Sequence, residues 1–255
     1  MKITVTPKQI ALTAIFAALY FALNFITPIA IPVGVQGLTI TVSALIATIF
    51  GLIIGPYLGT ASAFLGAAIG WSLTGMSPLG LPFLLSPPLN AFVSGSIFYK
   101  KWKMAIIPFI ILMVAFLFTP PVMSFGNAQV AIWVLWDKII AVLLIVPVVM
   151  FSKRLSAGQG AALFFLIAFI GNQADNMWGS FAFSLPVVYN GIFGLQMVDV
   201  QFSFLAAPFL YPAIRLVEAF IIMAIAVPLM KGLNNTTWLW KKDHIFTPPI
   251  KQQLT

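Results

Sequence analysis

The chain contains no cysteine, which excludes a disulfide framework, a thiol nucleophile and a cysteine-ligated metal. It has one histidine, His244. There is no His-Glu-x-x-His pair, no grouping of metal ligands and no serine near a base that could complete a triad. The glycine-rich G-x-x-x-x-G-K-[ST] phosphate loop is also missing, so the chain does not bind ATP by that route. These absences argue against an enzyme and against a metal or nucleotide cofactor in this chain.

Charge is the scarcest property. Charged residues make up 7% of the 255 residues, whereas soluble domains carry roughly 25%. Hydrophobic residues reach 61% and the mean hydropathy is +1.07. No soluble core of this size could hide so much apolar surface, so the surrounding solvent is expected to be lipid. The net charge of +8 then reads as basic residues gathered in cytoplasmic loops rather than as a nucleic-acid surface.

Apolar runs long enough to cross a bilayer, roughly 17–25 residues each, predict an all-α, polytopic helical bundle of about eight spans. They lie near 8–26, 39–56, 58–75, 83–99, 104–119, 129–151, 160–184 and 204–230. The fifth is short, and the second and third are split only by "GPYLG", so six or seven spans are also admissible. Residues 1–230 read as one integral membrane domain and 231–255 as a cytoplasmic interfacial tail. In that tail Trp238 and Trp240 beside Lys241 and Lys242 suggest an anchor. The first run shows no small-x-small cleavage site and is expected to stay as a span.

With both termini cytoplasmic, 11 of the 13 basic residues fall on the cytoplasmic side and none in an external loop. The other two, Lys138 and Arg215, lie within spans. This split follows the positive-inside rule and places the chain in the cell membrane as a multi-pass protein.

Small residues let helices approach closely in lipid. The first span carries Ala14, Ala18 and Ala22 at spacing four, with Ala11 on the same face. This stripe could serve packing within the bundle or a partner in the membrane. The third span has two rows, Gly59–Ala63–Ala67 and Ser62–Gly66–Gly70, for which packing inside the bundle is the preferred reading.

Five ionisable residues sit inside spans: Asp137, Lys138, Asp175, Arg215 and Glu218. Each would cost several kcal/mol facing lipid unpaired. The orientation puts all five between mid-membrane and the external face. Asn24, Trp71, Ser72, Asn90, Trp133, Trp136, Asn172, Gln173, Asn176, Trp178 and Tyr211 fall at the same depth, while the cytoplasmic halves are nearly devoid of polarity. The joint clustering predicts an outward-facing polar pocket with aromatic walls that takes a small solute. Its candidate lining is Asn90, Trp133, Trp136, Asp137, Asn172, Asp175, Asn176, Trp178, Arg215 and Glu218.

Plainer readings stand beside this one. Arg215 and Glu218, three apart on one face, can simply pair. Asp137 and Lys138 are adjacent, their side chains should diverge, and an ordinary pair at the membrane surface would account for them. Asp175 has no basic residue near it in sequence. It is paired with Arg215 across the bundle, protonated, or open to a solute. Three acids against two bases would be balanced by a cationic solute or by one protonated carboxylate.

The segments "ALTAIFAALYFALNF", "LIATIFGLIIGPYLGTASAFLGAAIG" and "SPPLNAFVSGSIFYKK" resemble the substrate-binding S components of energy-coupling factor (ECF) transporters. The features shared are a small-residue first helix, the G-x-x-x-GP-x-x-G join between the second and third spans, and a polar, proline-containing start to a fourth helix that ends in a basic pair. The resemblance covers residues 8 to about 103, and "IPVGVQGLTITV" more faintly resembles the biotin-binding branch. Such components usually have six spans, so the eight counted here depart from the pattern, and residues 104–230 match none.

The resemblance implies capture of a vitamin or similar micronutrient on the external side, under a loop at 27–38. Ala14, Ala18 and Ala22 would dock on a transmembrane coupling protein, itself bound by two cytoplasmic ATPases that supply the ATP site. The binding subunit would tip in the membrane to release its solute. Two other classes stay open: a self-sufficient secondary transporter using Asp175 or Glu218 for a coupling proton, and a structural membrane protein whose charges only pair.

Overall fold

The structure is a computed structural model that describes residues 6–26, 31–32, 39–40, 43–124, 128–156, 160–206 and 208–233. The expectations for the closing loop at 27–38 and for the tail from 234 onward, including its tryptophan anchor, lie largely or wholly outside these residues, as does the side chain of Asn24.

The described chain is essentially all helical. Its longer helices are α1 (Pro7–Ile26), α2 (Ser43–Leu73), α3 (Ser86–Phe98), α4 (Trp102–Leu117), α6 (Ala128–Met150), α8 (Ala161–Phe183), α10 (Met197–Ala206) and α11 (Leu210–Leu233). Short helices α5 (Pro120–Met123), α7 (Ser152–Ser156) and α9 (Pro186–Tyr189) link them, and a 3-10 turn at Leu81–Phe83 precedes α3. Two residue pairs, β1 (Ile31–Pro32) and β2 (Thr39–Ile40), form a minimal antiparallel ladder with Ile31 opposite Ile40 and Pro32 opposite Thr39.

Four helical stretches are long and apolar enough to cross a membrane: Leu45–Leu73, Leu81–Phe98, Ala128–Met150 and Leu210–Leu233. Shorter apolar helices accompany them. Helix α8 matches α6 in length at 23 residues but falls outside the four, because Asn172, Gln173, Asp175 and Asn176 interrupt its apolar run.

The second and third predicted spans are a single segment, α2, broken at one residue. Gly55 adopts φ 84 and ψ 171 inside the helix and Pro56 follows it. A side chain is strained at such a φ, and proline cannot donate to the preceding turn. The reversal is abrupt, since a Cβ on Gly59 would lie 2.8 Å from Gly51 N, eight residues earlier. Tyr99 Oη donates to the carbonyls of Leu52 at 2.8 Å and Ile53 at 3.3 Å. The carbonyls freed at a helix end thus find a buried partner.

Two further boundaries differ from expectation. The predicted second span began at 39, but Thr39 and Ile40 lie in β2 and the helix starts at Ser43. The predicted eighth span began at 204. That segment is instead divided into α10 and α11, with a turn near Pro208, a residue that cannot continue a helix without losing a backbone bond.

Packing follows the small residues. Ser62, Ala63, Gly66 and Gly70 are buried, and Ser62 Oγ donates to Thr13 O of α1 at 3.1 Å. At Gly66 an added Cβ would sit 2.6 Å from the Tyr20 Cβ of α1. Both small-residue rows of the third span therefore serve contacts inside the bundle. Helix α1 turns Leu12, Ala17 and Tyr20 inward, whereas Ala11, Ala14 and Ala18 are exposed and Ala22 is half-buried.

Helix α8 runs through the middle of the bundle, against α3, α11, α6, α4 and α2. Its first half is a dry core: Leu163, Phe164, Ile167, Ala168 and Ile170 are fully buried. Phe164 meets Phe98 of α3 at 6.1 Å between ring centroids, and Phe165 meets Phe220 of α11 at 4.7 Å. Large apolar side chains face outward on several helices, among them Ile107, Ile111, Ile132, Leu143, Val217 and Phe220. An apolar exterior of that extent is what lipid contact requires.

Candidate functional site

The second half of α8 carries the polar cluster. At 3.6 residues per turn, Asn172, Asp175 and Asn176 share one face and Gln173 flanks it. All four are buried, Gln173 completely. Because α3 and α11 run antiparallel to α8, their first halves meet this polar half.

Asn90 of α3 joins three helices. Its Oδ1 accepts from Thr48 Oγ1 of α2 at 2.7 Å and from Ser94 Oγ at 3.0 Å, and its Nδ2 donates to Asn172 Oδ1 at 3.0 Å. Gly171 permits this approach, since a Cβ there would collide with Ser94 Oγ and Asn90 Oδ1. Ser86 Oγ donates to Asp175 O at 3.4 Å, and Ser180 Oγ to Asn176 Oδ1 at 3.2 Å.

The charges form two groups. Arg215 of α11 bridges two carboxylates: its Nη1 lies 2.8 Å from Glu218 Oε2 and its Nη2 lies 3.3 Å from Asp175 Oδ1. Both pairings weighed from the sequence, the local and the cross-bundle, therefore exist together. On α6, Lys138 Nζ lies 3.0 Å from Asp137 Oδ1, and both residues are at most 3% exposed. This corrects the expectation of diverging side chains at a membrane surface. Once buried, each charge needs a partner, and the neighbour is the nearest available.

The aromatic walls assemble only in part. Trp178 Nε1 donates to Pro82 O at 2.8 Å and so ties α8 to the turn before α3. Trp136 Nε1 reaches Pro208 O at 3.3 Å. Trp133 packs edge-on against Phe209 at 5.7 Å and is 39% exposed, so it faces outward rather than into the cluster. Trp71 bonds to Ser77 O at 2.7 Å and Ser72 to its own helix at Ile69 O, 2.9 Å. Neither meets Asn90 or Arg215 through a hydrogen bond. Tyr211 is half-buried on the first turn of α11.

Thr48, Ser86, Ser94 and Ser180 belong to the cluster, although the sequence reading did not single them out. Thr48 gives only a faint signal, a hydroxyl within the run "LIATIFG". Ser86 and Ser94 flank Asn90 at four residues on either side, the helical repeat that could have drawn attention to them.

Several buried polar atoms of the cluster have no hydrogen-bond partner among the described residues. The donors are Asn172 Nδ2, Gln173 Nε2, Asn176 Nδ2 and Arg215 Nε; the acceptors are Gln173 Oε1, Asp175 Oδ2 and Glu218 Oε1. Each such group costs about 1–3 kcal/mol when left unsatisfied. Seven such atoms lie on two adjoining helices, α8 and α11, and a buried polar group without a partner calls for a specific explanation. The opposite end of the bundle carries Lys8, Lys100, Lys101, Lys103, Lys153, Arg154 and Lys231, at or just beyond the helix termini.

No curated protein and no solved structure matches the chain. The sequence model of the family described as ECF-type riboflavin transporter, S component, matches residues 4–167. The match runs through α1 to α6 and the first turns of α8, and it stops short of Asn172. It agrees with the ECF resemblance of the first hundred residues and names riboflavin rather than biotin. This chain belongs to the family of ECF-type riboflavin transporter S components.

Proposed function

We propose that the chain is the solute-binding membrane subunit of an ATP-driven ECF importer for a vitamin or similar micronutrient. The observation that carries the reading is the group of unsatisfied donors and acceptors on α8 and α11, buried within a member of a vitamin transporter family. The site faces the exterior when both termini are cytoplasmic, an orientation supported by the basic residues at the opposite end of the bundle. Asn172, Asp175, Asn176, Arg215 and Glu218 form its centre, with Asn90 and Trp178 positioning α8. Trp136, Asp137 and Lys138 border it from α6.

The exposed Ala11, Ala14 and Ala18 offer a flat strip on α1 that the bundle does not use. A transmembrane coupling protein would pack there, and its ATPases would supply the energy. The segment at 27–38 would cover the site.

Purified protein tests the reading. A small solute should copurify, identifiable by mass spectrometry, and the chain alone in liposomes should bind it without net uptake. Uptake driven by an ion gradient would instead mark a self-sufficient secondary transporter. Absence of any ligand would leave only a structural role.

A further inference from the structure

We propose that the basic end of the bundle binds anionic phospholipid headgroups, at a surface centred on the turn between α3 and α4 and on α7. The inference is independent of the solute. Acidic residues do not balance the basic ones gathered at this end. Of the five acidic residues in the chain, Asp137, Asp175 and Glu218 lie within α6, α8 and α11, and Asp199 starts α10, between the far ends of α8 and α11. The fifth, Asp243, is outnumbered in the tail by Lys241, Lys242 and Lys251. A positive excess therefore remains whatever pairs form within it.

Three cations at this end stand over aromatic rings. Lys101 Nζ lies 5.1 Å from the centre of the Tyr57 ring, Lys103 Nζ 5.5 Å from that of Trp102, and the Arg154 guanidinium carbon 5.8 Å from that of Phe151. All three rings are exposed. Aromatic rings settle at the boundary between acyl chains and headgroups, and a cation above such a ring sits at the level of the phosphates. A ring carries no net charge, so this contact orients the cation without neutralising it. Lys100 closes α3 in the left-handed region, φ 60. Its N donates to Ile97 O at 2.9 Å and Lys101 N to Ser96 O at 2.7 Å. Glycine is the usual residue at such a helix end, yet the turn holds an exposed lysine there, a strained choice that points to a use for the charge.

The flanking surface selects lipid over an acidic protein. Lys103, Ile107, Ile111 and Val114 follow one another at helical spacing on α4, and all are exposed. On α6 the exposed Ile140, Leu143 and Met150 lead toward Phe151 and Arg154. Each stripe is apolar along the bundle and ends in a cation. A phospholipid has the same order, acyl chains below and a charged phosphate above, whereas a soluble acidic surface would match only the ends.

The full chain, held on affinity resin in detergent, is incubated with mixed micelles of equimolar phosphatidylglycerol (anionic) and phosphatidylcholine (zwitterionic). After washing, retained lipid is quantified by mass spectrometry. At about 0.05 M NaCl, phosphatidylglycerol should be retained about fivefold or more over phosphatidylcholine, the ratio expected for one basic residue near a charged headgroup. Equal retention overturns the proposal and leaves this end to an acidic protein surface. At about 1 M NaCl the ratio should fall toward one, because salt screens exposed charges; a ratio unmoved by salt overturns it. Glycerol 3-phosphate at the lipid's concentration should not displace phosphatidylglycerol, and displacement would overturn the lipid assignment in favour of soluble phosphate. Lys100→Gln, Lys103→Gln and Arg154→Gln together should abolish most of the preference. An undiminished preference in a triple variant with an unchanged unfolding midpoint overturns the site. Should that variant fail to fold, the lipid ratio and its salt dependence on the unaltered chain decide.

Discussion

Asn90 and Asn172 meet amide to amide, Nδ2 to Oδ1 at 3.0 Å, and the Asn90 oxygen is held in turn by the hydroxyls of Thr48 and Ser94. The contact orients the polar face of α8 against α3. Asn90→Ala removes all three bonds and strands Asn172 Oδ1, so a loss of about 2–3 kcal/mol is expected. Thermal unfolding in detergent measures it, and an unchanged midpoint would contradict the role given to Asn90.

Arg215 holds two buried carboxylates at once. Arg215→Met leaves both without a counter-charge and should destabilise the protein by about 3–5 kcal/mol. Adding Asp175→Asn and Glu218→Gln removes the stranded charges, so the triple variant should recover much of the loss. Comparing unfolding midpoints of the single and triple variants checks this. A triple variant no more stable than the single one would show that the triad matters through packing rather than charge.

Two glycines of α8 should respond in opposite directions. At Gly171 a methyl group has no room against Ser94 and Asn90, and overpacking of this kind costs about 1–3 kcal/mol. At Gly179 the nearest atom to an added Cβ is Phe83 Cδ1 at 3.9 Å, an ordinary contact. Gly179→Ala should therefore gain about 0.5–1 kcal/mol from helix propensity. Parallel melting curves of the two variants test the pair.

The exposed strip on α1 yields a separation of effects. Ala14→Phe and Ala18→Phe change residues that the bundle does not bury, so folding and solute binding should persist. Transport in cells that supply the coupling proteins should fall sharply. Transport at the original rate would place the partner elsewhere.

Composition and apolar run length gave the helical membrane character, because these depend on local sequence alone. The break at "GPYLG" was visible for the same reason, since glycine and proline act at their own positions. Sequence also found Asp175, Arg215 and Glu218, because a charge is conspicuous in an apolar run. It could not say that Asp137 would turn toward Lys138 rather than away. It placed Trp133 in the lining, whereas the rotation of α6 directs that ring outward. Hydroxyls such as Thr48 escaped notice because their importance comes from a partner 42 residues away. Rotation about a helix axis and cross-helix pairing are tertiary properties, and periodicity constrains them only loosely.

The reversal at Gly55 has a bearing on how the protein is made. Residues 51–56 are buried and carry no charge, so nothing polar holds this corner in water while the next helix emerges from the ribosome. With no polar group to anchor it at a water-facing surface, this corner favours entry of the two arms of α2 into the bilayer as one hairpin.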